Sequence, residues 1–239
     1  MIGTLLNVAG ILIGVLAGRF TRPFSEARQQ NLKIYLGVFT TVVGLRLTWE
    51  GLNGSFGQIA KQLGIVLLAL TLGRLAGRVL HLQKAMNRLG QMAKRSLESA
   101  QAGGKKSANE GLMTGALLFC AAPLAVIGSV LDGLDHHHYQ PLLLKAVIDG
   151  LAAMAFVPMF GWGVLLAVIP LAAWQCGLTL GAQALGPLLV EHGLLGSVHA
   201  TAGLLIFCVA LIIFGLKKIE LGDYLPALAV APLLTWLWK

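Results

Sequence analysis

The 239-residue chain is 56% hydrophobic and only 12% charged, with a formal net charge of +8. An average soluble domain is about a quarter charged, so this composition excludes a soluble enzyme or binding domain of the same size. The basic excess does not point to nucleic acid, because Lys and Arg gather in short stretches beside apolar runs without interleaved aromatics.

A bilayer core of about 30 Å takes about 20 apolar residues per helix. That length divides the chain into segments Ile2 to Gly18, Ile34 to Glu50, Ile59 to Leu80, Leu112 to Leu131, Leu142 to Phe160, Gly163 to Leu185, Ala200 to Leu216 and Leu225 to Trp238. The last is the shortest and carries Pro226 and Pro232, so it reads as a span, a re-entrant turn or an interfacial helix. The expected fold is an all-α integral membrane protein of seven to eight transmembrane helices, one transmembrane domain over residues 1–239 with a basic cytoplasmic loop at about 81–110.

The first segment has no charged stretch before it and no cleavage motif, and it reads as a retained span. It places Asn7 among Gly3, Gly10, Gly14 and Gly18, a close-packing face with a single amide. Asn7 there fits either an interhelical hydrogen bond or the wall of a permeation path. In segment two, Arg46 and Glu50 form an i, i+4 pair beside Trp49, a structural arrangement for the membrane interface. Arg74 and Arg78 close segment three as snorkelling anchors.

The following loop contains Leu82, Met86, Leu89, Met92 and Leu97 near helical spacing with basic residues between them. This predicts a short amphipathic helix that tethers to anionic headgroups or serves regulation, with a flexible tail from Ser99 to Asn109. Segment four, with Pro123, Gly128 and Ser129, is expected to be irregular, and Pro158, Gly161 to Gly163 and Pro170 suggest the same for segments five and six. Broken helices of this kind either free backbone carbonyls near a site or serve kinked packing alone.

Segment four runs into Asp132, Asp135, His136, His137, His138 and Tyr139. Three adjacent histidines cannot all converge on one ion, so the run reads as a solvated loop and no metal site is expected. Asp149 lies about two turns into segment five with Lys145 one turn before it. Intramembrane charges are costly and face the bundle interior or a wet path. The pair is either a proton- or cation-coupling centre or a structural ion pair near the outer headgroups. Cys120, Cys176 and Cys208 sit in apolar runs and read as inert core thiols.

Fourteen of the 18 basic residues fall after segments one, three and seven or, as Arg74 and Arg78, in the last turns of segment three, among them Arg19, Arg22, Arg28, Lys33, Lys105, Lys106, Lys217 and Lys218. By the positive-inside rule these loops are cytoplasmic and the N-terminus is outside, which implies a multi-pass protein of a bacterial inner membrane. Segment two resembles segment seven, each ending in Gly-Leu and a basic residue, which suggests an inverted-topology repeat of segments 1–3 and 6–8.

The stretches IGTLLNVAGILIGVLAG, LLFCAAPLAVIGSVLDGL, LLLKAVIDG and GLKKIELGDYLPAL, in this order, resemble the YqgA/YdfK-like bacterial membrane proteins, domain of unknown function 554. The resemblance covers nearly the whole chain and implies a multi-pass inner-membrane protein without an assigned activity. It marks Asn7, Cys120, Gly128, Asp132, Gly133, Lys145, Asp149, Gly150, Lys217, Lys218 and Pro226 as family positions. The first span is also similar to the opening of fluoride channels, a likeness that bears on helix packing alone.

No zinc pair, phosphate loop or serine elbow is present in the sequence, so no enzyme activity, catalytic residue or cofactor is expected. The leading expectation is a small secondary transporter or channel for a small ion or polar metabolite, its pathway lined by Asn7, Ser129, Asp132, Lys145 and Asp149. A membrane scaffold or sensor acting through the basic loop is the alternative, and an intramembrane enzyme using Asp132 and Asp149 comes third. The expected surroundings are the lipid bilayer, and the glycine-rich faces are compatible with a homodimer.

Overall fold

The computed structural model describes residues 1–20, 25–101, 108–135 and 137–238, and all regular structure in them is helical. Arg22, Lys105, Lys106, His136 and most of the expected flexible tail lie outside the described residues. In chain order the helices are α1 (Ile2–Phe20), α2 (Glu26–Gly51), α3 (Phe56–Val79), α4 (Leu82–Gln101), α5 (Ala108–Ala121), α6 (Pro123–Leu134), α7 (Gln140–Phe160), α8 (Gly163–Leu166), α9 (Val168–Glu191), α10 (Leu195–Ile213), α11 (Leu221–Tyr224) and α12 (Ala227–Leu237).

Among the described residues six helices are long and apolar enough to cross a membrane, or seven if α5 and α6, bent by 62°, form one broken span. The break follows from Pro123, which disfavours helical backbone at Ala122 and suits the first helical position of α6. Ala122 is accordingly extended, at φ −68° and ψ 128°. Pro158, by contrast, is accommodated inside α7, and the chain turns after it at Gly161, whose φ of +62° favours glycine.

Two expected boundaries change. Helix α2 begins at Glu26, so Arg28 and Lys33 lie in its first turns and not in a loop. The eighth segment, expected from Leu225, forms α12 from Ala227, with the short helix α11 before it, and the whole apolar stretch Leu221–Leu237 is shorter than the six full-length helices.

The chain divides into two compact units, Met1–Glu26 with Lys84–Leu180 and Ala27–Gln83 with Gly181–Lys239. The boundaries of these units do not follow the two halves of the suggested repeat, because α1 belongs to one unit and α2 and α3 to the other.

In the first unit α1 and α7 form the most extensive helix pair. Gly3, Gly10, Gly14 and Gly18 face Leu142, Ala146, Gly150 and Met154 in the same order, so the two helices run parallel. A side chain at Gly10 or Gly14 would fall on the carbonyl oxygen of Ala146 or Gly150. Lipid gives no hydrophobic drive to helix association, and such backbone approach supplies dispersion contact in its place. Ile11 and Val15 of α1, Ala153, Val157 and Phe160 of α7 and Phe119 of α5 belong to the core of this unit.

Helix α4 is docked on this unit. Ala93 is fully buried, Leu97 and Ala100 pack against the core, and the Thr114 hydroxyl lies 2.8 Å from the Ser96 hydroxyl as its donor. Part of the apolar stripe expected to lie on headgroups therefore meets protein, and Lys84, Arg88, Lys94 and Arg95 face outward.

In the second unit α2 and α10 run antiparallel. Gly44 meets Gly203 and Phe207, and Gly51 meets Gly196 and Ala200. Helix α3 packs against α11 and α12, with Gly77 against Asp223 and Gly73 against Ala227.

Candidate functional site

The five residues expected to form a pathway all belong to the first unit, on α1, α6 and α7, three helices that pack on one another. The site follows from helical spacing. On α1 Asn7 shares the face of Gly3 and Gly10, so it points at α7. On α7 Lys145 and Asp149 are one turn apart and adjacent to Ala146 and Gly150, the residues that receive α1. On α6 Ser129 and Asp132 are i, i+3 neighbours beside Gly128, which packs on Leu142.

Lys145 and Asp149 form an ion pair, at 1% and 5% exposure. Two buried charges lose hydration that their attraction must offset, and removing either partner of such a pair generally costs about 3–5 kcal/mol. The Asn7 amide interacts with the Asp149 carboxylate, although neither of its polar atoms makes a hydrogen bond of ordinary geometry. Cys120, two residues before the α5–α6 break, is within electrostatic range of both Lys145 and Asp149. The broken helix thus reaches the neighbourhood of the charge pair.

Asp132 is fully buried and has a different engagement. Its Oδ1 accepts the backbone N–H of Gly3 at 3.2 Å, and its Oδ2 is 3.1 Å from the amino group of Met1. A helix N-terminus carries unpaired N–H groups and partial positive charge, and a carboxylate from a neighbouring helix answers both. Asp132 therefore caps α1 across the packing interface.

Among the described residues Ser129 Oγ is buried with no hydrogen-bond partner, and so is Thr4 Oγ1, one turn from Asn7. Thr4 was not among the expected residues, although its polarity in an apolar run was the available signal. Gln175 and Thr179, an i, i+4 pair on α9, are also fully buried without hydrogen-bond partners and were likewise missed. Burying an amide or hydroxyl unpaired costs at least about 1–3 kcal/mol. Groups in that position commonly serve water, an ion or a substrate.

The remaining candidates make local pairs of their own. Asp135 accepts the His137 N–H at 3.0 Å and pairs with His138 Nδ1 at 3.0 Å, a local turn arrangement. Arg46 and Glu50 pair at 2.7 Å on an exposed face of α2, and Trp49 is exposed beside them. Among the described residues, no three His, Cys, Asp or Glu side chains gather as metal ligands would.

A family model described as "Protein of unknown function (DUF554)" matches residues 2–236. The chain is similar to "Uncharacterized membrane protein YdfK" of Bacillus subtilis (strain 168), 28% identical over 234 residues, covering 97% of this chain and 94% of the relative. It is also similar to "Uncharacterized protein YqgA" of Escherichia coli (strain K12), 26% identical over 243 residues, covering 100% of this chain and 97% of the relative. No solved structure matches.

Proposed function

The chain belongs to the DUF554 family, and from that premise we propose that this membrane protein is a secondary transporter or channel for a small ion or polar metabolite. Its site is the polar layer of α1, α6 and α7, with Asp149 as the coupling carboxylate and Asn7, Ser129 and Lys145 around the path. Asp132 holds α1 in place at the layer's edge.

The observation that carries this reading is the buried Lys145–Asp149 pair with Asn7 beside it, in a unit where Thr4 and Ser129 lack partners. Ionisable groups at membrane depth mark ion and proton paths more often than they add stability. A proton or cation arriving at Asp149 releases Lys145 from its partner and changes the local charge, and the adjoining α5–α6 break offers backbone that can respond. The proposal assigns no catalytic reaction and no cofactor.

The reading includes a bacterial inner-membrane location with the N-terminus outside and the basic loops cytoplasmic. Parallel α1 and α7 agree with the alternation of sides that it requires, whichever side is outside. With α2 and α3 as spans and α4 docked at the surface, the α5–α6 pair must cross for α7 to start on the same side as α1. The glycines of α1, α2 and the end of α3 pack within each unit, whereas Gly177 and Gly181 on α9 meet nothing within 4 Å and are the face that a second copy could use.

The test begins with a thermal-shift screen of the detergent-purified protein against ions and small metabolites across pH, in wild type and Asp149→Asn. A ligand of the folded state raises Tm by mass action. Compounds that shift wild type alone then go into proteoliposome flux assays. Wild-type flux through Asp149→Asn would remove Asp149 from the coupling role. A scaffold or sensor is the second reading, favoured by the outward basic face of α4. It predicts that reversing Lys84, Arg88 and Arg95 to Glu abolishes function while Asp149→Asn is silent.

A further inference from the structure

The second unit holds a charge cluster that plays no part in the proposed path. Gly73 and Gly77 bring α3 into backbone contact with α11 and α12, and a side chain at Gly73 would stand 2.5 Å from Ala227 N. Arg74 and Arg78, each next to one of these glycines, are thereby carried to the Glu220–Tyr224 turn. Both guanidinium groups face one acceptor, with Arg74 Nη2 3.9 Å and Arg78 Nη2 3.8 Å from Glu220 Oε2. Arg74 also lies over the Tyr224 ring, 5.3 Å from its centroid.

The turn itself is fixed. Asp223 accepts the Gln83 N–H at 2.9 Å, and the Gln83 side-chain oxygen accepts the Gly222 N–H at 2.8 Å. This reciprocal pair joins the start of α4 to α11 and holds the turn at a set distance from α3.

The arginines are under-used in this arrangement. Guanidinium–carboxylate hydrogen bonds run at about 2.7–2.9 Å, a full ångström shorter than these contacts. Among the described residues Arg74 Nε is buried with no hydrogen-bond partner, and the two arginines share the Glu220 carboxylate, itself 56% exposed. Lys217 and Lys218 follow α10 as exposed residues just before the turn. The local charge is positive, the donors form two forks, and the acceptor between them can swing away into solvent.

The geometry points to a phosphate-binding site formed by Arg74 and Arg78, with Glu220 as an internal competitor that a phosphate group displaces. Two planar forks aimed at one point suit the several oxygens of a phosphate better than a single carboxylate oxygen. The phosphate is that of an anionic lipid headgroup or a free inorganic phosphate, which share this chemistry. The site rests on different residues from the transport reading and stands or falls apart from it.

The full-length protein in phosphate-free buffer and maltoside detergent is titrated with dilauroylphosphatidylglycerol and, separately, with inorganic phosphate, with Tm as the readout. Wild type is expected to give a saturable rise with at least one probe, Arg74→Gln/Arg78→Gln to lose it, and Arg28→Gln/Lys33→Gln to keep it. Glu220→Gln is expected to reach half-saturation at a lower concentration, because the competitor is gone. A rise with the lipid alone identifies a headgroup site, and a rise with inorganic phosphate identifies a soluble one. No rise with either probe, or an unchanged rise in the double arginine variant, overturns the proposal. If that variant does not fold, Glu220→Gln decides alone, and weaker or unchanged binding in it is equally fatal.

Discussion

The Asp132 carboxylate accepts the backbone N–H of Gly3 at 3.2 Å across 129 residues of sequence, so α6 supplies the cap that α1 lacks on its own. A buried N–H left without its acceptor costs about 1–3 kcal/mol. Asp132→Ala is expected to destabilise the protein in detergent by about that amount. Asp132→Asn keeps an acceptor oxygen and should lose less. Equal losses on thermal denaturation would show that the cap is not what Asp132 contributes.

Lys145→Met leaves Asp149 buried beside an apolar neighbour and is expected to cost about 3–5 kcal/mol. Lys145→Met/Asp149→Leu removes both charges and should recover most of that stability while transport stays absent. The pair would then be retained for function at little benefit to stability. A double variant no more stable than Lys145→Met would refute that separation.

Gly14→Val places a branched side chain on the Gly150 carbonyl, and α1 and α7 cannot close around it. Folded yield in a size-exclusion assay is expected to collapse. Gly177→Ala is the matched control, since a Cβ there meets nothing within 4 Å. It should be neutral or stabilising by up to about 1 kcal/mol from helix propensity.

Between the start of α4 and the α11 turn, Gln83 donates its N–H to the Asp223 carboxylate and accepts the Gly222 N–H on its side-chain oxygen. Part of this exchange runs through backbone groups, so a cycle of Asp223→Ala and Gln83→Ala reads the cooperation of the two ends. A coupling of about 1 kcal/mol is expected. Strict additivity would mean the two bonds act independently.

Orientation is testable by single-cysteine labelling after Cys120, Cys176 and Cys208 are replaced with Ala. Cysteines at Asn53 and Gly193 are expected to label from outside intact cells, and those at Arg88 and Lys217 only after permeabilisation. The reverse pattern would invert the proposed topology.

Much of this fold can be read along the chain because its determinants are local. Apolar length set the spans, Pro123 the break, and the four-residue step from Lys145 to Asp149 the ion pair. The glycine face of α1 announced close packing but not its partner, since any helix with small residues could have received it. Thr4, Gln175 and Thr179 escaped notice because a hydroxyl or amide in an apolar run is ordinary until its surroundings are known. The start of α2 was misplaced because Glu26 to Lys33 is polar, and polarity at a helix end outside lipid carries no stop signal. Asp132 with Gly3, Gln83 with Asp223 and the two arginines with Glu220 join distant segments, and no spacing rule reaches them.

The partnership of α1 with α7 also sets an order of assembly. Helix α1 leaves the ribosome well before the helix that receives its glycines and faces Asn7, which begins at Gln140. At about 5–20 residues per second, synthesis of the intervening chain takes on the order of ten seconds. Throughout that interval a span with a polar Thr4 and Asn7 and an uncapped start waits in the bilayer without its mate. Biogenesis of this protein therefore depends on whatever shelters the first span, the insertion machinery or another helix, until α6 and α7 arrive to claim it.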